Sequence, residues 1–316
     1  MSQLATRVIG AEYWVRSACP SCGAPASRSA PAVASDPPAE SLPIDQHTGF
    51  VSSYGPRRVF FTYFCCSVCE LLFCPVFYSE EQLARLYGHQ GENMAEAPFG
   101  ARVQTQERYA QHLLKHSRKG GAFLEVGADV GVFARRCLKE GRYDHAWLYE
   151  PNLAIHDELG KHLMEQPHTI KAEMWPTDDV PAGCVSTAAM IHVVDHLLDP
   201  LTFLSKLRDK LEVNGVVLLV THDAHSLLAR TLGRRWPPFA LQHPQLYCRQ
   251  SMATLLQRSG FAIVEMRKAV NYFPVIFLVR AALSVLGLPS ILPHIAGPSI
   301  PIKLGNMAVV VRRIEV

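Results

Sequence analysis

The sequence predicts an α/β protein built on a doubly wound, mostly parallel β-sheet, preceded by a small metal-binding module. Two observations support this prediction. From Ala122 onward, short apolar segments alternate with segments of helical periodicity, and strands joined by helices pair in parallel within a sheet that is covered on both faces. Near the N-terminus, two Cys-x-x-Cys pairs have the spacing of zinc knuckles.

The composition is that of a globular protein. Of the 316 residues, 48% are hydrophobic and 19% are charged, which argues against disorder. The formal net charge of +3 is too small to indicate a dedicated nucleic-acid-binding protein. The first residues lack the apolar core of a signal peptide, and the apolar stretch 273–288 contains Arg280 and is short for a bilayer span. We therefore expect a cytoplasmic protein without a transmembrane helix.

Composition divides the chain into three regions. Residues 1–80 hold six of the nine cysteines and are expected to form a zinc-ribbon-like domain. Within it, residues 23–41 are rich in Ala, Pro and Ser and are expected to be a flexible insertion. Residues 81–118 have a helical pattern and form a linker. Residues 119–316 form the α/β domain, which contains an apolar insertion at 269–305.

The α/β domain has a predicted order of seven strands and four helices. The strands are expected at 122–127, 145–150, 168–174, 184–193, 215–222, 261–267 and 306–313. The helices are expected at 132–140, 153–164, 200–211 and 251–259. The apolar insertion could be a lid, a subunit contact, a helix making peripheral membrane contact through residues 270–292, or additional core.

The two Cys-x-x-Cys pairs predict a tetrahedral zinc site made of Cys19, Cys22, Cys66 and Cys69. Each pair supplies two thiolates from one tight turn, and zinc in structural sites takes four such ligands. Cys65 could replace Cys66 as a ligand. Four thiolates leave no open position, so the ion would be structural. The alternative is four unligated thiols.

A glycine-containing turn, Glu125 to Gly131, follows the first strand of the α/β domain and opens the next helix. Such a turn brings backbone amides close to a ligand at the helix N-terminus. Glu150 ends the next strand, where a carboxylate can accept hydrogen bonds from ribose hydroxyls. The dinucleotide fingerprint G-x-G-x-x-G fails here at its second and third glycines. The pattern acidic-x-Gly-x-Gly-x-Gly departs only at Asp129.

This turn resembles motif I of the class I S-adenosylmethionine-dependent methyltransferases. Residues 190–200, MIHVVDHLLDP, are similar to the "vlEHl-dP" signature of that family, and residues 211–218 are similar to its "LkpgG-l-l". The stretch from His243 to Phe261 is similar to the last motif of that family, "H…f…ll…GF". The double knuckle resembles the zinc-binding N-terminal domain of a subgroup that includes sugar C-methyltransferases. The resemblance implies a Rossmann-like sheet whose last strand is antiparallel.

The resemblance also implies which residues hold the cofactor, S-adenosylmethionine. They are Glu125, Gly127, Asp129, Gly131, Glu150, Glu173, Met174 and His192. Glu125 and the amides of the glycine turn would contact the amino-acid end. Glu150 would contact the ribose, and Glu173 with Met174 the adenine. Asp129 replaces a family glycine, and aspartate tolerates a positive φ better than most residues.

Three further residues are predicted to act in catalysis: His196, Asp195 and His243. Methyl transfer needs alignment, and a base if the acceptor is a weak nucleophile. His196 follows the fourth strand, and a neighbouring carboxylate could raise its basicity. In the sugar C-methyltransferases that the sequence resembles, a glutamate–histidine pair lies near the acceptor, and Asp195 replaces that glutamate. The alternative is that His196 packs beside a helix.

The sequence therefore predicts S-adenosylmethionine-dependent methyl transfer to a small-molecule or carrier-linked acceptor. His222 and His225 follow the fifth strand, where an acceptor would also lie. One alternative is an RNA methyltransferase that docks on RNA through the ribbon, although the small net charge argues against it. Another is a non-catalytic cofactor-binding or scaffold protein, supported by Asp129 and by Val193, which stands where some members of the resembled subgroup carry a tyrosine.

Overall fold

The computed structural model describes residues 13–47, 50, 58–88, 97–163, 166–173, 178–288 and 297–314. Its first part, residues 13–78, is here called the N-terminal module. The strands of this module are β1 (Trp14–Val15), β2 (Ser29–Val33), β3 (Tyr63–Cys66), β4 (Leu72–Phe73) and β5 (Val76–Phe77). β1 pairs with β5, and β2, β3 and β4 pair in that order, all antiparallel.

Two helices, α1 (Glu80–Gly88) and α2 (Phe99–Leu114), lead to the α/β domain. Its first half contains β6 (Ala122–Val126), α3 (Val132–Gly141), β7 (His145–Tyr149), α4 (His156–His162), β8 (His168–Lys171) and β9 (Val185–Ile191). Its second half contains α5 (Pro200–Lys210), β10 (Leu211–His222), α6 (Leu227–Leu232), β11 (Gln245–Leu246), α7 (Arg249–Arg258), β12 (Phe261–Lys268), β13 (Asn271–Pro274), α8 (Val275–Val285), β14 (Ser299–Ile302) and β15 (Asn306–Arg313).

Seven of these strands form the main sheet, in the order β12-β15-β10-β9-β6-β7-β8. β15 runs antiparallel to both of its neighbours, whereas the pairs from β10 to β8 are parallel. The central strands β6 and β9 are buried along their whole length, as expected for parallel strands with a packed layer on each face. The predicted doubly wound sheet with an antiparallel last strand is confirmed.

Residues 23–41 differ from the flexible insertion that the sequence predicted. β2 pairs with β3, and the side chains of Ala39 and Glu40 are buried. The Ser35 hydroxyl donates to the carbonyl of Phe60 at 2.8 Å and accepts from the Phe60 amide at 2.9 Å. The segment is poor in large apolar side chains, but hydrogen bonds to a neighbouring strand order it.

The N-terminal module shares a sheet with the α/β domain. β11, which lies between α6 and α7, pairs with β4 through Gln245 opposite Phe73 and Leu246 opposite Leu72. The Cys74 amide also donates to the Pro244 carbonyl at 2.9 Å. The two parts predicted as separate domains therefore pack together through a continuous four-stranded sheet.

The apolar insertion at 269–305 forms a hairpin and a helix. β13 pairs antiparallel with β14, and the Tyr272 amide donates to the Thr105 hydroxyl of α2. None of the α8 side chains is buried, so this helix does not extend the core. Among the described helices, none combines the length and hydropathy that crossing a membrane requires. The peripheral membrane contact through residues 270–292 stays a prediction, since 289–296 lie outside the described residues.

We expect Ser35→Ala to lower the free energy of unfolding by about 1–3 kcal/mol, because it leaves the buried Phe60 amide without its partner. The Phe60 carbonyl keeps its bond from the Ala39 amide. Chemical denaturation followed by circular dichroism measures this change. Ser41→Ala is the matched control, since that hydroxyl makes only a local bond to Pro38. Equal stability of the two variants would favour the flexible segment that the sequence predicted.

Candidate functional site

The candidate site lies where the strand order of the main sheet reverses. From the adjacent strands β6 and β9 the chain continues outward in opposite directions, and ligands of open α/β sheets bind in the crevice between such loops. The two loops, residues 127–131 and 192–199, are in close contact. A Cβ atom added at Gly127 would lie 2.7 Å from Cγ2 of Val193.

The loop after β6 has a backbone that only a few residue types adopt. Gly127, Asp129 and Gly131 have φ values of 74°, 47° and 79°. Gly131 is the N-cap of α3, and a Cβ atom there would lie 2.6 Å from Leu159. The positive φ at Asp129 agrees with the expectation that an aspartate can replace glycine at this position. The amides of Gly127 and Gly131 donate within the protein, to the carbonyls of Tyr149 and Ala128. These bonds fix the loop, and the absence of side chains at its two ends allows a ligand to approach the backbone.

The carboxylate of Glu150 is fixed beside this loop. One oxygen accepts a hydrogen bond from the Asp129 amide and the other from the Asn152 amide, both at 2.9 Å. Burial raises the pKa of Glu150 above its ordinary value, and these two amide bonds oppose the shift. Each oxygen keeps a further lone pair that can accept a ligand hydroxyl.

Glu125, on β6, is buried to 1% exposure. Its Oε2 atom has no hydrogen-bond partner among the described residues. Burial, reinforced by the charges of Asp129 and Glu150, raises the pKa of Glu125 well above its ordinary value. A cationic group bound here would stabilise the ionised carboxylate.

For the remaining residues predicted to bind the cofactor, the structure gives positions but no geometry that indicates a cofactor contact. Glu173 is exposed just beyond β8, and Met174 lies outside the described residues. Asp129 faces a positive charge, because the Arg102 guanidinium of α2 lies 3.8 Å from its carboxylate. His192 lies at the end of β9 with a φ of 54°.

Asp195 lies among four histidines, and this set is here called the histidine cluster: Asp195, His192, His196, His222 and His243. The predicted catalytic residues Asp195, His196 and His243 are thus brought together. The rings of His196 and His243 are 4.6 Å apart, and those of His192 and His222 are 4.7 Å apart. Asp195 is fully buried, and neither of its oxygens accepts a hydrogen bond from a described residue.

Each of three rings is oriented by a bond at Nδ1. In His196 this atom is 2.8 Å from the hydroxyl of Tyr87, and in His222 it donates to Oδ1 of Asn306 at 3.0 Å. In His243 it donates to the carbonyl of Pro238 at 2.7 Å. The opposite nitrogens, Nε2 of His196 and His222, lie 3.9 and 3.8 Å from the Asp195 oxygens.

Burial controls the protonation of these rings. Burial, with a smaller effect of His243, lowers the pKa of His196 to about 3 despite the attraction of Asp195. Burial also lowers the pKa of His222 well below its ordinary value. Asp195 does raise the pKa of His196, as the sequence indicated, but desolvation of the ring is the larger effect, so the net shift is downward.

The sequence did not indicate Tyr87 or Asn306 as site residues. Tyr87 belongs to α1, far away along the chain, and nothing in its local pattern marks it. Asn306 pairs with His222 in the register of β15 with β10. An antiparallel last strand places its first residue against the end of β10, so that topology could have indicated Asn306.

The N-terminal module holds the loops that carry the cluster. The Tyr63 hydroxyl donates to the His243 carbonyl at 2.6 Å. Gln245 lies in β11, which pairs with β4 of the module, and its side chain donates to the carbonyls of Val194 and Leu197 at 3.0 and 2.7 Å. Arg16 donates to the carbonyl of Leu198 at 2.9 Å. The positions of both loops therefore depend on the module.

The four predicted zinc ligands converge in the module and are here called the thiol cluster. Their Sγ atoms lie within 4.8 Å of one another, with Cys19–Cys69 and Cys22–Cys66 at 3.6 Å. The residue after each knuckle, Gly23 or Glu70, has a positive φ of 77° or 62°. Burial opposes ionisation of Cys66, but the amides of Cys69 and Val68 help to lower its pKa to about 7.

Helix α7 bonds to both knuckles. Arg258 donates to the Ser21 carbonyl at 2.6 Å, and the Ser21 hydroxyl donates to the Ser251 carbonyl at 2.6 Å. Gln250 donates to the Val68 carbonyl at 3.0 Å. The thiol cluster is therefore attached to the α/β domain, and three of its cysteines belong to the same hydrophobic core as the main sheet.

A family model described as "Methyltransferase domain" matches residues 101–266, more than half of the chain. The chain belongs to this methyltransferase family. The match spans α2, the glycine loop and the histidine-bearing loop after β9. No curated protein sequence matches the chain.

Among solved structures, the chain is similar to one from the Haloferax volcanii complex of the Trm112 methyltransferase activator with a methyltransferase. The TM-score is 0.50 at 9% identity, covering 68% of this chain and 93% of that one. Geranyl diphosphate C-methyltransferase from Streptomyces coelicolor A3(2) gives a TM-score of 0.49 at 10% identity, covering 74% and 97%. At this identity, the Haloferax similarity shows a shared fold.

We expect Gly127→Ala to lower the free energy of unfolding by at least about 1–2 kcal/mol, because an alanine at positive φ is strained. The added methyl group would also overlap Val193. Val193 is buried, so Val193→Ala alone should also lower stability. In the double variant the loss should be smaller than the sum of the two single losses, since the shorter side chain removes the overlap but not the strain. Urea denaturation of both single variants and of the double variant measures this difference, and strictly additive losses would contradict the contact between the two loops.

Proposed function

We propose that this methyltransferase transfers the methyl group of S-adenosylmethionine to a small-molecule or carrier-linked acceptor bound at the histidine cluster. The observation that carries the proposal is the arrangement of the crevice. The glycine loop and the carboxyls of Glu125 and Glu150 lie on its β6 side, and the histidine cluster lies on its β9 and β10 side. Cofactor and acceptor would therefore meet across one short gap.

The residues on the β6 side fit the chemistry of this cofactor. The buried carboxyl of Glu125, with an unpartnered oxygen, suits the ammonium of the amino-acid end. The fixed carboxylate of Glu150 suits two ribose hydroxyls. The bound cofactor supplies an electrophilic methyl group on its sulfonium. The adenine contact through Glu173 and Met174 stays a proposal.

The residues on the β9 and β10 side would hold the acceptor. Their imidazole rings are neutral because of burial, and a neutral imidazole offers one donor and one acceptor nitrogen. Trp236, which is 1% exposed and lies against the His222 ring, restricts water on one side. Alignment of acceptor and methyl group is the main requirement of a displacement reaction. The roles of Asp195, His196 and His243 in catalysis, like membership of the sugar C-methyltransferase subgroup, belong to this proposal.

Replacing Glu150 tests the cofactor side. Glu150→Ala removes the ribose acceptor and should weaken S-adenosylmethionine binding by about 1–3 kcal/mol, measured by titration calorimetry. Glu158→Ala, an exposed carboxylate on α4, should bind as the unchanged protein does. Unchanged affinity in Glu150→Ala, or calorimetric binding of NAD instead, would contradict the proposal.

We also propose that the thiol cluster binds one structural zinc ion. Sulfurs at a Zn–S distance of about 2.3 Å in a tetrahedron are ~3.8 Å apart, close to the two 3.6 Å separations in the cluster. Because all four ligands come from the protein, the ion would stabilise the fold rather than bind substrate. The predicted domain boundaries, which end the zinc-ribbon-like domain at residue 80 and the helical linker at residue 118, remain proposals.

The matched pair Cys69→Ser and Cys65→Ser tests the zinc site. Cys69→Ser should lose about one zinc per chain in elemental analysis, whereas Cys65→Ser should keep it, since Cys65 lies outside the thiol cluster. Hydrogen exchange should speed up in α7 as well as in residues 13–78, because α7 bonds to both knuckles. Equal zinc contents in the two variants would rule out the assigned ligands.

A further inference from the structure

The histidine cluster contains a buried carboxylate with no hydrogen bond to explain it. Both oxygens of Asp195 are shielded from solvent and accept no bond from any residue that the structure describes. Burying a charge without a partner is costly, and buried carboxylates are usually paired or bound to a metal. The groups nearest to the Asp195 oxygens include imidazole nitrogens at 3.8 and 3.9 Å.

These separations suit two ligands of a common ion better than a direct hydrogen bond. A hydrogen bond between nitrogen and oxygen is about 2.7–3.2 Å long. Two ligands that each lie about 2.1 Å from one ion are ~3.4 Å apart in a tetrahedron, and up to ~4.2 Å apart when opposed. Nε2 of His196 lies 3.9 Å from Asp195 and falls within this interval, and the donor atoms of Asp195, His196 and His243 all lie within 4.8 Å of one another.

The orientation of the rings supports the same conclusion. Metal-binding histidines usually bond through their second nitrogen to a carbonyl, carboxylate or similar group, which fixes the tautomer. His243 and His222 donate from Nδ1 to Pro238 and Asn306, which leaves Nε2 with a free lone pair. Nδ1 of His196 bonds with the Tyr87 hydroxyl. Three rings from three separate segments are thus held in a ligating tautomer or orientation.

We propose that Asp195, together with Nε2 of His196 and His243, binds one divalent transition-metal ion. Imidazole and one carboxylate suit zinc, iron, cobalt or nickel, whereas magnesium and calcium prefer oxygen ligands. Burial keeps the rings neutral, which is the form that binds a metal. His192 and His222 form a separate group with Asp195, and Nε2 of His192 accepts from Asn306 at 3.4 Å.

The ion would be reachable from the crevice, unlike zinc in the thiol cluster. The side chains of His196 and His222 keep 13% and 20% of their surface exposed. An ion with a free coordination position could bind an oxygen of the acceptor and hold it toward the cofactor side. This role rests on the proposed function, whereas binding of the ion does not.

Cobalt(II) distinguishes the two centres, because thiolate ligands give an intense ligand-to-metal charge-transfer absorption and nitrogen and oxygen ligands do not. The full chain, stripped of metal and reloaded with Co²⁺, should hold two ions. Asp195→Asn and His196→Ala should each lose one ion, or bind it at least about 10-fold more weakly, and keep the charge-transfer band. Cys22→Ser should lose the band and keep the other ion. His225→Ala, at an exposed histidine near His222, should hold both ions.

Two results would overturn the metal site: a wild-type chain that holds only thiolate-bound cobalt, or variants of both Asp195 and His196 that still hold two ions. His196→Ala keeps the test decisive if Asp195→Asn does not fold, since His196 is the more exposed residue. Calorimetry with S-adenosylmethionine on the same samples separates the two proposals. Cobalt binding without cofactor binding would reject the proposed function and leave the metal site standing.

Discussion

The pairing of β11 with β4 is the constraint on which the site depends. It lies next to His243 in the chain and joins the N-terminal module to the α/β domain by backbone hydrogen bonds. Gln245, within β11, also holds the loop after β9 through two carbonyls. Without this pairing, the loop of His243 and the loop of Asp195 would have no common support. The module is therefore part of the site architecture rather than an appendage.

Desolvation is the dominant electrostatic effect in this architecture. On the β6 side it raises the pKa of Glu125, and on the β9 side it lowers the pKa of His196 and His222. Both shifts favour neutral side chains in the absence of a bound charge. A crevice with these side chains suits cationic ligands. Both S-adenosylmethionine, with its sulfonium and ammonium groups, and a divalent metal ion are cationic.

The two candidate metal centres have contrasting chemistry. The thiol cluster has four soft ligands and no place for a fifth, so it suits a structural ion. The histidine cluster has mixed nitrogen and oxygen ligands and partly exposed rings, so an ion there could take part in binding. The centres are connected through the module, because Cys74 bonds to Pro244 and Tyr63 bonds to His243.

The sequence by itself determined the sheet, the glycine loop and the two knuckles. These features depend on spacing within short segments: a strand followed by Gly127 and Gly131, or Cys-x-x-Cys followed by a residue at positive φ. Local backbone geometry decides such features, so residue order is enough to predict them.

Only the tertiary structure decided the rest. Residues 23–41 lack the apolar side chains that would have marked them as ordered, and their order comes from pairing with β3. The histidine cluster takes Asp195, His222, His243 and the supporting Tyr87 from distant elements, and no local pattern records that they meet. The low pKa of His196 could not be predicted for the same reason: the neighbouring carboxylate is visible in the sequence, whereas burial, which outweighs it, depends on how the whole chain packs.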